Sequence, residues 1–297
     1  MWFKNLQIYK LTEWDLDWAD FVAQLSRGPY AGCPSNQPTA RGWVQPRQDS
    51  ELVYAQDGQW LIALCTAERL LPSDVVNREV ADRADALEAD QGYRPGRKAL
   101  RELKERVVQE LLPLAFVRSR VTYAWIDRAA GYLVIDTPSL ARAEAVIEHL
   151  RHCLDDFPLS ILRTKFSPSS RMADWLAAEE APFGFTIDQD CQLQTVGDQA
   201  AVTYSHHSLD GEEIREHLAA GKLPTKLAMT LDDRISFVLT QNLVIKRLAF
   251  LDIIKEQAEK DADTAHDVFD ANFALMTGEL RRFIPLLLDA LGGESDD

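Results

Sequence analysis

The stretch ELVYAQDGQWLIALCT, residues 51–66, decides the fold because it predicts a β-hairpin. Its centre is Asp57-Gly58, a pair that favours the two-residue turn between antiparallel strands, and apolar residues flank the pair on both sides. We therefore expect strands over 51–55 and 59–66. Antiparallel hairpins combined with helices indicate an α+β fold and argue against a parallel Rossmann-type sheet.

Two helices are predicted directly after this hairpin. Pro72-Ser73-Asp74 is typical of a helix start, with Ser73 as the N-cap, and the first helix runs to about residue 90. The glycines and proline of 92–96 break it, and a second helix runs from 97 to Pro113, with its leucines and Val107 at helical spacing.

Beyond the helices, the order strand, turn, strand, Pro-Ser, helix occurs a second time. Strands are predicted at 118–126 and 132–136, and Pro138-Ser139 opens a helix over 140–154. A looser third version follows, with strands at 226–231, 234–239 and 244–250. We interpret the pattern as an internal duplication of a small antiparallel unit with helices on one face.

The same pattern divides the chain into three regions. Residues 1–72 and 114–180 are expected to form a central α+β region, and 73–113 a helical tip. Residues 181–297 are expected to form a base α+β region with an acidic helical C-terminus. Within that base, strands are predicted at 183–187 and 192–196.

Composition excludes several classes of protein. The chain has 297 residues and a formal net charge of −15. No apolar run reaches the roughly 18 residues of a membrane span, and the N-terminus lacks the pattern of a signal peptide, so a cytoplasmic protein without membrane contact is expected. The spacing of the cysteines suits neither a disulfide framework nor a zinc module; they are Cys33, Cys65, Cys153 and Cys191.

The charge is divided into zones along the chain. Residues 94–120 carry eight bases and three acids, and 215–250 carry six bases and three acids. By contrast, 252–297 carry four bases and twelve acids. Arg97, Arg101 and Lys104 share one helix face, and such a row of cations can follow a phosphate backbone. An ordinary solvated helix face is the plainer interpretation of the same row.

Motifs that carry chemistry are missing from the sequence. It contains no Walker lysine loop, dinucleotide glycine pattern, H-E-x-x-H motif or nucleophile elbow. His206-His207 with His217 is a poor metal site, because adjacent residues of a strand point to opposite faces. Asp261, Asp263 and Asp267 lack the glycine and terminal glutamate of a calcium loop. No metal, cofactor or catalysis is therefore expected.

Several strings along the chain, taken together and in this order, resemble one family. They are Met1-Trp2-Phe3-Lys4-Asn5-Leu6, Gly42-Trp43-Val44, Leu71-Pro72-Ser73, Leu111-Leu112-Pro113, Trp125-Ile126-Asp127, Gly221-Lys222, Thr225-Lys226-Leu227-Ala228, Lys246-Arg247-Leu248, Leu275-Met276-Thr277-Gly278-Glu279-Leu280 and Leu291-Gly292-Gly293-Glu294. The chain resembles the RdgC family of bacterial recombination-associated proteins, nearly from end to end.

The resemblance implies a nucleoid-associated protein that binds double-stranded DNA with little sequence preference. It further implies a crescent-shaped subunit with a protruding helical tip, and a ring-shaped homodimer with a basic interior. Such a ring would limit RecA-promoted strand exchange by occupying the duplex. Neither catalysis nor a cofactor is implied.

The resemblance also suggests which residues bind DNA and which join the subunits. Lys222, Lys226, Lys246 and Arg247 match basic positions of the family, and His206-His207 stands where family members carry a Lys-Gln pair. The other expected DNA contacts are Arg234, Arg97, Arg101, Lys104, Arg118 and Arg120. The expected dimer interface contains Phe116 and Ser119.

Two other functions remain open at this point. The chain could inhibit RecA or a repair factor by binding it directly, with incidental DNA contact. A metal-dependent nuclease would need clustered carboxylates, for which the candidates are Asp188, Asp190, Asp232 and Asp233.

Overall fold

Two antiparallel sheets organise the protein. The computed structural model describes residues 1–195, 197, 200–251 and 264–295. Within those residues it contains twelve strands and seven α-helices, which confirms the predicted α+β class. The strands are β1 (Gln7–Leu11), β2 (Thr39–Val44), β3 (Val53–Gln56), β4 (Gln59–Leu70), β5 (Phe116–Asp127), β6 (Tyr132–Ile135), β7 (Leu159–Ile161), β8 (Phe185–Thr195), β9 (Ala201–Tyr204), β10 (Lys222–Leu231), β11 (Ile235–Thr240) and β12 (Ile245–Phe250).

The helices follow the predicted order. They are α1 (Trp18–Leu25), α2 (Ser73–Gln91), α3 (Arg97–Leu111), α4 (Leu140–Cys153), α5 (Pro168–Ala178), α6 (Glu212–Ala219) and α7 (Ala265–Ala290), with a short 3-10 turn at Leu112–Leu114. None of the helices in the described ranges has the length and apolar character that crossing a bilayer requires.

The first sheet contains seven strands in the order β2-β4-β5-β6-β1-β7, with β3 also paired to β4. The predicted hairpin is confirmed: Gln56 pairs with Gln59, and Asp57 and Gly58 between them both have positive φ, 50° and 76°. That is the turn whose twist matches two antiparallel strands. One face of this sheet packs on α1 and α4 through Phe21, Leu150 and their neighbours.

The second sheet contains five strands in the order β12-β11-β10-β8-β9. Leu227, Met229 and Leu231 alternate along β10 and are fully or almost fully buried. They belong to a core that also contains residues of α5, α6 and α7. These helices therefore lie on one face of the sheet, as predicted.

Helix α7 packs between the two sheets. The ring of Phe273 lies 5.2 Å from that of Tyr54 in β3, and the ring of Phe283 lies 4.8 Å from that of Phe237 in β11. Burying aromatic side chains on both sides of one helix ties the sheets together through a shared apolar core. Pro285 is accommodated within the helix.

The N-terminal segment joins the sheets a second time. Leu6 exchanges two backbone hydrogen bonds with Ile245 of β12, at 2.9 and 3.0 Å. The chain then continues as β1 between β6 and β7 of the first sheet. One short segment thus covers the edge of the five-stranded sheet and enters the interior of the other.

Three local predictions differ from the structure. Pro72 holds the N-cap position of α2, so Ser73 is the first helical residue and gives no side-chain cap. The strands predicted at 183–187 and 192–196 are one strand, β8, whose register shifts opposite Leu227 and Met229; Val196 lies outside the described residues. The extra residues of this bulge interrupt the alternation from which the strand was predicted.

One helix of the expected central region packs against the five-stranded sheet. Helix α5, which the boundary at residue 180 assigns to the central region, packs against β10 of the five-stranded sheet. Local periodicity predicts a helix but does not say which sheet it covers. The two clearest copies of the predicted repeat share one sheet, because β4 and β5 are neighbours in it.

A single arginine connects the helical tip to the first sheet. The guanidinium of Arg69, near the end of β4, donates hydrogen bonds to five backbone carbonyls. Three of them belong to Leu112, Pro113 and Ala115, where the tip returns to β5, and the others to Cys33 and Pro34. The fork of five N–H donors suits this task, because one side chain satisfies the carbonyls of two segments.

Replacing Arg69 by alanine is expected to lower the free energy of unfolding by about 2 kcal/mol, because three half-buried carbonyls lose a charged donor. Arg69→Lys should recover less than half of this loss, since an ammonium cannot reach both segments. The measurement is urea unfolding. Arg120→Ala, at an exposed arginine without a partner among the described residues, is the control. If Arg69→Ala unfolds like that control, Arg69 does not anchor the tip.

Candidate nucleic-acid interface

The face of the five-stranded sheet opposite its helices is the candidate site, and we call it the open face. It is formed by the residues that alternate with the buried ones, including Lys226, Thr230, Ser236, Val238 and Lys246. All five are at least partly exposed. A polar sheet face on which no helix of the described ranges packs is free to meet a partner.

A β-bulge brings two consecutive cations to this face. The register between β11 and β12 shifts, so that Ser236 pairs with Ala249 but Val238 pairs with Lys246. Arg247 lies in the shift with a φ of +51°, an uncommon conformation for a residue with a Cβ. Lys246 and Arg247 consequently line one cavity, although in a regular strand they would point to opposite faces.

Two cavities meet at the open face. One, of about 510 Å³, lies between the sheets and is lined by Gln7 and Tyr9 of β1 and by Lys226 and Lys246. The other, of about 300 Å³, contains the same two lysines together with Arg247. Lys226, Lys246 and Arg247, which are far apart in sequence, are therefore grouped by the fold.

The two lysines are unpaired. Within the described residues, neither Lys226 nor Lys246 makes a side-chain hydrogen bond or an ion pair. About half of the other lysines and arginines that the structure describes have carboxylate partners, for example Arg83 with Glu79 and Glu110. Unpaired ammonium groups in a cavity can accept an anion without first breaking a bond.

Carboxylates border the same face. Asp190 pairs with Arg247 at 3.3 Å and accepts the backbone N–H of His206 at 3.0 Å. Asp188 accepts the Thr230 hydroxyl. Burial raises the pKa of Asp188, the hydrogen bond from Thr230 opposes this, and the negative charge of Asp190 raises it further. The open face thus combines cations with a smaller number of acids.

The smaller cavity is also lined by Cys191, whose thiol is unreactive. Burial raises the pKa of Cys191 to about 12, so the thiol stays protonated near neutral pH. A protonated thiol is a weak nucleophile and a poor metal ligand. In the described ranges, no three residues among the histidines, cysteines, aspartates and glutamates are placed to hold a metal ion. Asp261 and Asp263, weighed above as calcium ligands, lie outside those ranges.

Other predicted DNA contacts from the base region lie elsewhere. Lys222 contacts the ring of His217 on α6, with Nζ 3.0 Å from Nδ1. His207 pairs with Glu213 of α6. Arg234 pairs with Glu279 of α7, on the face that carries the helices. Of this group, only His206 reaches the open face, through its backbone bond to Asp190.

The cations of the helical tip are balanced by nearby acids. Between residues 73 and 113 the chain carries eight bases and nine acids, because the acidic helix α2 packs against the basic helix α3. Arg101 pairs with Glu105, and Lys104 donates to Asn77. Arg97 is exposed and has no ion pair among the described residues. The tip as a whole is nearly neutral, unlike its second helix alone.

The remaining predicted residues lie on β5. Phe116, Arg118 and Arg120 alternate on one face of the strand, where Arg118 pairs with Glu68. Ser119 points to the other face of the strand. Phe116 is 85% exposed and pairs across the sheet with Leu70, and Leu114 is 79% exposed. These three residues, Leu70, Leu114 and Phe116, form what we call the apolar patch.

Sequence reasoning missed the polar residues around the lysines. Gln192, Gln194, Gln241 and Asn242 line the larger cavity, and their amides can donate and accept hydrogen bonds. Asp190 was considered only as a nuclease ligand. The alternation along β8 could have indicated Gln192 and Gln194, but the neighbouring turn that carries Gln241 and Asn242 has no such signal.

Comparison of the sequence with known proteins places the chain in a family. The family model described as "Putative exonuclease, RdgC" matches residues 1–294. A protein of Dechloromonas aromatica named recombination-associated protein RdgC is 61% identical over 299 residues, which cover 99% of this chain and 98% of that protein. Proteins of the same name from a Janthinobacterium species and from Cupriavidus necator are each 45% identical over 296 residues, 99% of both chains.

The chain therefore belongs to the RdgC family of recombination-associated proteins. The resemblance found in the sequence is confirmed. The family model's description includes an exonuclease, whereas the names of these relatives include no enzyme activity.

Proposed function

We propose that this protein binds double-stranded DNA by its phosphate backbone, without reading the sequence, and that the open face makes the contact. The observation that carries the proposal is the grouping of Lys226 and Lys246, which have no partner among the described residues, with Arg247 around two cavities that share both lysines. Phosphate contacts give affinity that depends on salt but carry no sequence information.

The net charge of −15 is compatible with this role because charge acts locally. At physiological salt, exposed charges farther apart than about 8 Å are largely screened. Lys226 and Lys246 have no acidic partner among the described residues, so a phosphate that reaches them meets a locally positive surface. The amides of Gln192 and Asn242 supply neutral donors beside the lysines.

The proposal includes a ring-shaped homodimer of crescent-shaped subunits around the duplex, associated with the nucleoid. The apolar patch supports self-association, because exposed apolar side chains that lie next to one another mark interaction surfaces, whereas a single exposed one does not. A closed ring would keep the open faces of both subunits toward the DNA and would limit RecA-promoted strand exchange by occupying the duplex.

Binding without cleavage is the remaining part of the proposal. The thiol of the cavity is protonated, and the lysines and amides around it are binding groups rather than metal ligands. A duplex incubated with the protein and Mg²⁺ or Mn²⁺ is therefore expected to stay at full length. Shortening of the strands would instead support the exonuclease of the family model's description.

Replacing both Lys226 and Lys246 by alanine is expected to abolish most duplex affinity and to make its salt dependence shallower. The slope of log K against log salt should fall by about two for each subunit that contacts DNA, at about 0.9 for each lost phosphate contact. Fluorescence anisotropy with two duplexes of unrelated sequence measures both quantities, and wild-type affinity should be the same for the two.

The matched control removes two exposed cations away from the open face, Arg151→Ala with Lys165→Ala. It should leave the slope unchanged. Equal losses in both double variants, or wild-type binding that depends on sequence, would contradict the proposal. In a strand-exchange assay, the lysine variant should also lose inhibition of RecA; inhibition that persists without DNA binding would favour direct contact with RecA.

Replacing Phe116 by glutamate is expected to convert the dimer to a monomer of 33.5 kDa, because a charge in the apolar patch opposes its burial. Light scattering coupled to size exclusion measures the mass. Phe183→Glu, at a phenylalanine that is 97% exposed outside the apolar patch, should leave the dimer intact. A dimer that survives Phe116→Glu would place the subunit contact elsewhere.

A further inference from the structure

Arg247 is the paired cation of the open face. Among the described residues, Lys226 and Lys246 have no partner there, whereas the guanidinium of Arg247 meets Asp190 at 3.3 Å. Its side chain is nevertheless 77% exposed, against 30% for that of Asp190. The arginine therefore lies at the mouth of the site and the carboxylate lies behind it.

Asp190 is held in place by a second bond. One carboxylate oxygen accepts the backbone N–H of His206 at 3.0 Å, and the other faces Arg247. His206 and Arg247 both have positive φ, 53° and 51°. Two uncommon backbone conformations thus converge on one carboxylate, and the bond from the backbone of His206 holds that carboxylate in place.

The Asp190 carboxylate and a DNA phosphate can bind the guanidinium of Arg247 in the same way. Both groups are anions that accept hydrogen bonds from a guanidinium. An exposed pair at this distance is weak, so a phosphate diester arriving at the cavity can replace it. Asp190, Lys226 and Lys246 line the same cavity, which brings that phosphate within reach of the exchange.

We infer that Asp190 is an internal competitor of phosphate, which holds Arg247 in the free protein and releases it to the DNA backbone on binding. This regulation of the open face rests on the proposed function. It lowers the affinity of the free site and thereby favours an extended polyanion, which engages the lysines simultaneously, over small anions. The release involves no covalent step.

The first test is Asp190→Asn, which keeps the acceptor for the His206 N–H and removes the charge that holds Arg247. Duplex affinity at low salt should rise about three- to fivefold, the weight of one exposed ion pair. The matched control is Asp188→Asn, which removes a neighbouring acid that contacts Thr230 rather than Arg247. It should change affinity less than twofold.

The decisive test repeats Asp190→Asn in an Arg247→Ala background. If Asp190 competes for Arg247, its replacement should then have less than a 1.5-fold effect, because no guanidinium remains to be released. The same gain in both backgrounds would mean that Asp190 acts only through its general negative charge. A loss of affinity on Asp190→Asn would mean that it positions Arg247 for phosphate. Either result overturns the inference.

Two controls keep the outcomes separate. Thermal unfolding checks that each variant folds, and Asp190→Ser, whose hydroxyl can still accept the His206 N–H, replaces Asp190→Asn if that variant does not. Wild-type protein without duplex affinity would defeat the proposed function itself. Wild-type binding that Asp190→Asn leaves unchanged would defeat only the competitor role.

Discussion

The fold depends on one segment being shared by two sheets. Leu6 exchanges backbone hydrogen bonds with β12, and the next residue begins β1 inside the seven-stranded sheet. Asp136 fixes the approach by accepting the backbone N–H groups of Lys4 and Asn5, at 3.0 and 2.9 Å. Hydrogen-bonded strands have little freedom to slide, so this segment sets the separation of the sheets. Helix α7 fills the space behind it.

The candidate site follows from that constraint. Gln7 and Tyr9 of β1 form one wall of the larger cavity, and Lys226 and Lys246 form the other. If the sheets could move apart, the lysines would lie on an ordinary exposed face. Held together, the sheets enclose a cavity in which the two lysines lie opposite Gln7 and Tyr9. A chain with many more acids than bases can then bind an anion, because the fold groups Lys226, Lys246 and Arg247 around one cavity.

Patterns along the sequence predicted the elements better than their arrangement. The Asp57-Gly58 hairpin, the two helices of the tip and strands β10 to β12 were predicted correctly, because each depends on residues close in sequence. The bulge at Arg247 was not predicted, and it is the feature that places Arg247 beside Lys246. The ion pair of Arg234 was not predicted either, because its partner Glu279 lies 45 residues away in the chain. The charge count over residues 94–120 overstated the positive charge of the helical tip, because it left out the acidic residues of α2.

The alternation of side chains along a strand also indicates which residues share one face of a sheet. Phe116 and Ser119, both expected in the dimer interface, point to opposite faces of β5, as their spacing alone indicates. Membership of the family, in contrast, was correct from dispersed strings that no single element explains.

Lysine footprinting in the presence of duplex DNA tests the central claim most directly. Each lysine is acetylated with and without a duplex of random sequence, and mass spectrometry reads the reactivity of each position. Lys226 and Lys246 should lose reactivity when DNA is bound, while Lys165, exposed outside the open face, should not change. Protection confined to Lys98 and Lys104 of the tip, with Lys226 and Lys246 still reactive, would contradict the open face as the DNA contact.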